Sequence, residues 1–100
     1  MIPRKIETWI LLSIIYCDMD NGTDLSSIIN TGDYINHAIL TDVELDEGLK
    51  QLIDGGYVYK RGNKYFPAGS VLSYYRSRTT SKSGVRYSWK VIEEYLDLKR

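Results

Sequence analysis

Apolar residues recur at helical spacing along most of the chain, interrupted by short polar breaks and by one aromatic, β-branched region past the middle. Residues 4–17 are apolar on more than one face, so the helix they predict needs cover on two sides. That cover comes either from the last helix of the same chain or from a second copy. A second helix is expected from about Asp24, and Gly32 with Asp33 can kink or divide it if it continues that far.

The third helix has the clearest start and stop signals. Thr41 followed by Glu44 predicts a capping box, in which each side chain accepts a hydrogen bond from the other residue's backbone amide. Gly55 or Gly56 is suited to the left-handed residue that ends the helix. Between these limits the apolar positions follow helical spacing: Leu45, Leu49, Leu52 and Ile53.

After this helix the pattern changes to a hairpin. Two aromatic runs within residues 57–66 flank Arg61-Gly62-Asn63, and Pro67 ends the second run because proline cannot donate to a strand ladder. A short helix is expected over residues 70–75, a basic Ser/Thr-rich loop over 76–84 and a last helix over 85–98, the natural cover for the first helix. The predicted fold class is mainly α with a small β-hairpin, α+β.

Composition adds the size of the fold and its charge pattern. One hundred residues, 43% of them hydrophobic, predict a single domain with one modest core. The formal net charge is zero, but the charges are unevenly distributed. Residues 1–56 carry seven more acidic than basic residues, and residues 57–100 carry seven more basic than acidic ones. An acidic front and a basic back can complement each other within one fold or between two copies.

The single cysteine, Cys17, excludes an internal disulfide and suits a reducing cytoplasm. The N-terminal apolar run is shorter than the roughly 20 residues that span a bilayer, and no small-residue cleavage site follows it, so we expect a mature helix in a cytoplasmic protein. Acidic residues at 18–24 invite a calcium hypothesis, but an EF-hand loop starting at Asp18 places Thr23 and Ile29 where glycine and glutamate are required. A turn and helix cap is the preferred interpretation.

The order of helix, turn, helix and hairpin resembles the winged helix-turn-helix superfamily, with a core at about residues 4–67 and a C-terminal helical extension at about 70–100. The resemblance to short bacterial winged-helix proteins implies a bacterial, cytoplasmic setting but provides no functional residues. It is carried by Ile35-Asn36-His37-Ala38-Ile39, Thr41, Glu44-Leu45, Gly48-Leu49, Leu52 and Gly56-Tyr57-Val58.

Winged helices commonly bind DNA through the third helix, yet the polar residues of this one carry a net charge of −4. DNA binding depends on Lys and Arg neutralising phosphates, so conventional docking of this helix is disfavoured. The alternative function is a DNA-binding transcriptional regulator that contacts the nucleic-acid backbone through the hairpin and the loop behind it. The candidate contacts are Lys60, Arg61, Lys64, Arg76, Arg78, Lys82 and Arg86.

The favoured function is a non-catalytic binding module that associates with a protein, with a homodimer through the first or last helix as the expected form. The charge split, the apolar excess of the first helix and an aromatic content of 12% motivate this hypothesis, because interfaces favour Tyr and Trp. The candidate interface residues are Trp9, Leu12, Tyr16, Asp46, Glu47, Trp89 and Tyr95.

Catalysis has the weakest support. The chain has one histidine, one cysteine and no phosphate-binding glycine loop. His37 falls where the second helix should end and is expected to interact with terminal carbonyls, although Asp33 or Glu44 would complete a dyad on paper. No enzyme activity, cofactor, metal, membrane contact or small-molecule substrate is expected.

Overall fold

The computed structural model describes residues 2–17 and 21–99, with side chains up to Leu98, and shows five helices and one two-stranded antiparallel sheet in these ranges. The predicted α+β class with a small hairpin is confirmed. The turn proposed for residues 18–24 lies partly outside the described residues. The elements are α1 (Arg4–Tyr16), α2 (Leu25–Asn36), α3 (Asp42–Asp54), β1 (Val58–Arg61), β2 (Lys64–Pro67), α4 (Gly69–Arg78) and α5 (Val85–Lys99).

Helix α1 forms the centre of the core. Every residue from Ile6 to Ile15 is buried, which is the two-sided burial that its apolar pattern requires. Helices α2, α3 and α5 all pack against α1. Ile92 and Leu96 of α5 are fully buried in the same cluster. The second side of α1 is therefore covered by the last helix of the same chain.

Most of the polar side chains of α1 have partners close by, although the buried Nε of Arg4 has no hydrogen-bond partner among the described residues and is only ion-paired. The hydroxyls of Thr8 and Ser13 donate to the carbonyls of Arg4 and Trp9, one turn earlier in the helix. The guanidinium of Arg4 pairs with the buried carboxylate of Glu7 at 3.5 Å and with Asp97 at the end of α5. Hydrogen-bonding and pairing are what allow polar side chains to remain in a core.

Helix α2 runs unbroken through Gly32 and Asp33 to Asn36. The Trp9 indole Nε1 donates to the Gly32 carbonyl at 2.9 Å, and a Cβ built on Gly32 would lie 3.1 Å from that nitrogen. The absence of a side chain at Gly32 thus lets α1 and α2 approach each other. Packing against Trp9 keeps Gly32 helical despite the low helix propensity of glycine.

Helix α3 begins with the predicted capping box. The Glu44 amide donates to the Thr41 hydroxyl at 3.1 Å, and the Thr41 amide donates to the Glu44 carboxylate at 3.0 Å. Leu45, Leu49 and Leu52 are buried, so this helix turns one face to α1 and the other to solvent.

Strands β1 and β2 pair in antiparallel register around a turn in which Gly62 has a φ of 60°. Thr23 adds one further bridge, because its amide and carbonyl exchange hydrogen bonds with Tyr65 at 3.0 and 2.8 Å. This bridge ties the segment before α2 to the second strand, which fixes the hairpin against the helical core.

Candidate interaction surfaces

The exposed side of α3 is acidic. Asp42, Asp46, Lys50 and Asp54 are all exposed, and their spacing of four residues places them in one row along the helix. Lys50 is the only basic residue of α3. Together with the half-buried Glu44 and Glu47, we call this row the acidic face.

The acidic face is held rigidly by what lies beneath it. Gln51 accepts a hydrogen bond from the Ile2 amide at 2.7 Å, so the middle of α3 is tied to the start of the chain. Gly48 lies directly against Ile10 of α1, with space for no side chain between them. The buried side of α3 is therefore packed on the core, and its carboxylates project from the opposite side.

A groove runs beside the acidic face, between α3, the first turn of α2 and the hairpin. Its volume is about 310 Å³, and its apolar lining includes the exposed Leu25 and Ile53. A second hollow adjoins it and shares Leu25, Lys60 and Tyr65. A groove with exposed apolar side chains and a charged rim offers a partner both apolar area and ion pairs.

The hairpin adds a second basic residue to this groove, Lys60, beside Lys50 of α3. Lys60 lies over the Tyr65 ring at 5.5 Å, and the Arg61 guanidinium lies over the Tyr59 ring at 5.6 Å. Lys64 pairs with Asp24 at 3.8 Å. The pKa of Asp24 is lowered first by the hydrogen bond from the Ser27 amide, with Lys64 adding a smaller effect in the same direction.

The candidate nucleic-acid contacts extend over opposite ends of α2. The hairpin residue Asn63 shares a hollow with Asp24–Ser26 at the start of α2, whereas Arg86 shares another with Ile35–His37 at its end. At 1.5 Å per residue these two positions are about 15 Å apart along α2. Arg76 and Arg78 end α4, and Arg78 lies 3.7 Å above the Tyr74 ring. We call Arg76, Arg78, Lys82, Arg86 and Lys90 the basic end.

The candidate protein interface needs correction at three residues. Trp9, Leu12 and Tyr95 are buried by the chain's own helices and are therefore unavailable at its surface. The Tyr95 ring packs against the rings of Tyr57 and Tyr74, with centroids 6.0 and 4.7 Å away. A dimer through α1 would require the helix that covers it to leave.

The remaining candidates stay at or near the surface. Asp46 is exposed and Glu47 is half-buried on the acidic face. Tyr16 and Trp89 are partly buried against the core, and burial raises the pKa of the Tyr16 hydroxyl. Of the seven predicted interface residues, only Asp46 and Glu47 thus lie on the acidic face.

His37 occupies a structural position. It is the C-cap of α2 with a φ of 51°, and its amide donates to the Asp33 carbonyl at 2.7 Å. The Glu44 carboxylate accepts a hydrogen bond from the Thr41 amide in the capping box, which argues against a catalytic dyad of Glu44 with His37. Within residues 2–17 and 21–99, no three His, Cys, Asp or Glu side chains are grouped so as to hold a metal ion.

Two features were missed by sequence reasoning. The Thr23–Tyr65 bridge joins residues 42 positions apart, and its only local signal is a β-branched residue directly before the helix cap. The hollow between the end of α2 and the start of α5 joins residues about 50 positions apart. The spacing of apolar and polar residues along the sequence predicts neither of these long-range contacts.

No family model, curated protein or solved structure matches this chain. In the described part of the chain, no helix has both the length and the apolar character required to cross a bilayer.

Proposed function

We propose that this chain is a winged-helix protein without catalytic activity that associates with a second copy of itself, the acidic face of one copy meeting the basic end of the other. The fold assignment is supported by the order α1, α2, α3 and hairpin, and the isolated Thr23–Tyr65 bridge holds the hairpin against the helical core. The cytoplasm remains the expected compartment.

The observation that carries the proposal is the exposed row of α3. Asp42, Asp46 and Asp54 have no Lys or Arg within ion-pair distance among the described residues. Three unpaired carboxylates beside one lysine oppose phosphate and attract a basic surface. The adjoining groove supplies apolar area, which gives such a contact affinity as well as orientation.

Lys60 lines the same groove as Asp42 and Asp46, but Arg86 of the basic end lies far from the end of α3 within one chain. Gly55 and Gly56, which directly follow α3, share a hollow with Tyr95 near the end of α5, whereas Arg86 is at the start of α5. Nine residues of helix separate those positions by about 14 Å, which exceeds the Debye length of about 8 Å at physiological salt. Two copies related by a twofold axis would form the acidic-to-basic contact twice.

Charge reversal should separate the two halves of the contact. The variants are Asp46→Lys with Asp54→Lys on the acidic face, and Arg76→Glu with Lys82→Glu at the basic end. Each double variant is expected to weaken self-association about 10-fold or more, since exposed ion pairs contribute about 0.2–1 kcal/mol each and two pairs are reversed in each copy's contact. Sedimentation equilibrium at low salt measures the change.

Mixing the two double variants provides the matched control. Each retains one native patch and one reversed patch, so the mixture restores one attractive contact between native patches and creates a second between reversed ones. Association of the mixture above that of either variant alone is expected. A single-chain mass for the wild-type protein at about 100 μM in low salt would contradict the proposal, as would variants that associate unchanged.

The alternative is contact with a nucleic-acid backbone, and the position of Lys60 and Arg61 favours it. Both side chains lie over tyrosine rings at the exposed hairpin, which holds the charges ready for phosphate. This alternative predicts binding to random duplex DNA that weakens steeply with salt. Fluorescence anisotropy across salt would detect it, and Arg61→Glu with Lys64→Glu and Arg78→Glu should abolish it. No salt-dependent binding at about 50 mM salt would exclude it.

A further inference from the structure

The last turn of α2 and the first turn of α5 line an open hollow of about 390 Å³, which shares only Arg86 with the basic end. We propose that it binds a small organic anion with an apolar body, such as an aromatic carboxylate. Its volume falls in the range of small-molecule sites, about 300–1,000 Å³. The lining residues are Ile35, Asn36, His37, Val85, Arg86 and Trp89.

The lining has one apolar side and one donor-rich side. Ile35 is buried, and Val85 and Trp89 are partly buried, so together they form a wall against which a ring or branched chain can pack. Arg86 and His37 provide donors at the rim, and no lining residue is a carboxylate. Asp33, one turn before His37, is not part of the lining. This arrangement selects a negative charge attached to an apolar group.

The donors of the hollow have no acceptor in the described part of the chain. The guanidinium of Arg86 forms no ion pair there, and neither the Trp89 indole nor the His37 ring has a hydrogen-bond partner. Trp9 is different, since its indole donates to the Gly32 carbonyl. An anion seated between Arg86 and Trp89 would give both groups an acceptor.

Two locally unfavourable residues meet at this hollow. His37 adopts a left-handed conformation, with φ 51° and ψ 38°, at a C-cap where glycine costs least. Arg86 is the second residue of α5, where its positive charge opposes the helix dipole. Residues whose backbone conformation or charge is locally unfavourable concentrate at functional sites, because selection there favours function over stability.

The test uses 1-naphthoate and its neutral amide as probes of the full-length protein, followed by the indole N–H signals of Trp89 and Trp9 in NMR spectra. The Trp89→Phe variant assigns the two signals. With a ligand of this size we expect a dissociation constant of about 1 mM for naphthoate. The Trp89 signal should move with naphthoate concentration while the Trp9 signal stays fixed.

Substitutions then separate charge recognition from general apolar binding. Arg86→Ala should weaken naphthoate at least 5-fold and leave the amide unaffected, whereas Arg76→Ala, on α4, should change neither. His37→Gly should raise Tm by relieving the left-handed strain and weaken naphthoate at least 2-fold. An immobile Trp89 signal at 5 mM naphthoate would overturn the proposal, and so would equal binding of acid and amide or unchanged binding by Arg86→Ala. A stabilised His37→Gly variant with wild-type affinity would overturn the assignment of His37.

Discussion

Replacing Leu96 by aspartate is expected to lower Tm by about 20 °C or more, whereas the same replacement at Leu98 should leave Tm nearly unchanged. Leu96 is 0% exposed against α1, and Leu98, two residues later on the same helix, is 71% exposed. An unpaired charge at Leu96 costs more than about 4 kcal/mol, a large share of the 5–15 kcal/mol that stabilises a typical domain.

Circular dichroism melts of the two variants, recorded side by side, measure the difference. Both substitutions introduce the same side chain into α5, so helix propensity and net charge change equally and only burial differs. If Leu96→Asp melted within a few degrees of Leu98→Asp, α5 would not be the cover of α1. A second copy would then be the better candidate for that role.

The assignment of α5 as the cover shows where sequence reasoning is limited. The apolar residues of α1 predict that two of its sides are buried, and the spacing of Ile92 and Leu96 predicts a helix with one apolar face. Neither pattern identifies which two faces meet. Consequently Trp9, Leu12 and Tyr95 satisfied the criteria for an interface and for a core equally well, and only the packed structure separates the two.

Features set within one helical turn were predictable in detail. The Thr41–Glu44 capping box needs only residues three positions apart, so its geometry follows from local sequence. The acidic face is predictable for the same reason, since spacing along one helix fixes which side chains share a side. The net negative charge of the acidic face therefore follows from the sequence of α3 alone.

Features that depend on distant partners were not predictable from local sequence. Gly32 has low helix propensity, yet α2 continues through it because the Trp9 indole and the close packing of α1 hold it there. The basic residues looked continuous along the sequence, but α2 separates the hairpin from Arg86. The donor-rich hollow arises only when α5 folds back onto the end of α2.

Replacing Gly48 by valine should destabilise the protein by about 2–3 kcal/mol and lower Tm by about 10–20 °C. A Cβ at Gly48 would lie 2.2 Å from Ile10 Cδ1 and 2.8 Å from Ile2 Cδ1, closer than nonbonded carbons approach. Ile10 is fully buried, so its Cδ1 can turn aside only by displacing other core side chains, and otherwise α3 moves away from α1. The gain in helix propensity of roughly 0.5 kcal/mol does not offset that cost.

Gly69→Val is the matched control. Gly69 is also a helical residue, the first of α4, but a Cβ there would meet nothing within 4 Å. Its Tm should remain within about 4 °C of the wild-type value, corresponding to at most about 0.5 kcal/mol. Equal melting temperatures for the two variants would contradict the close crossing of α1 and α3 at Gly48. Because that crossing fixes the position of the acidic face, Gly48→Val should also weaken self-association at temperatures where the variant remains folded, while Gly69→Val should not.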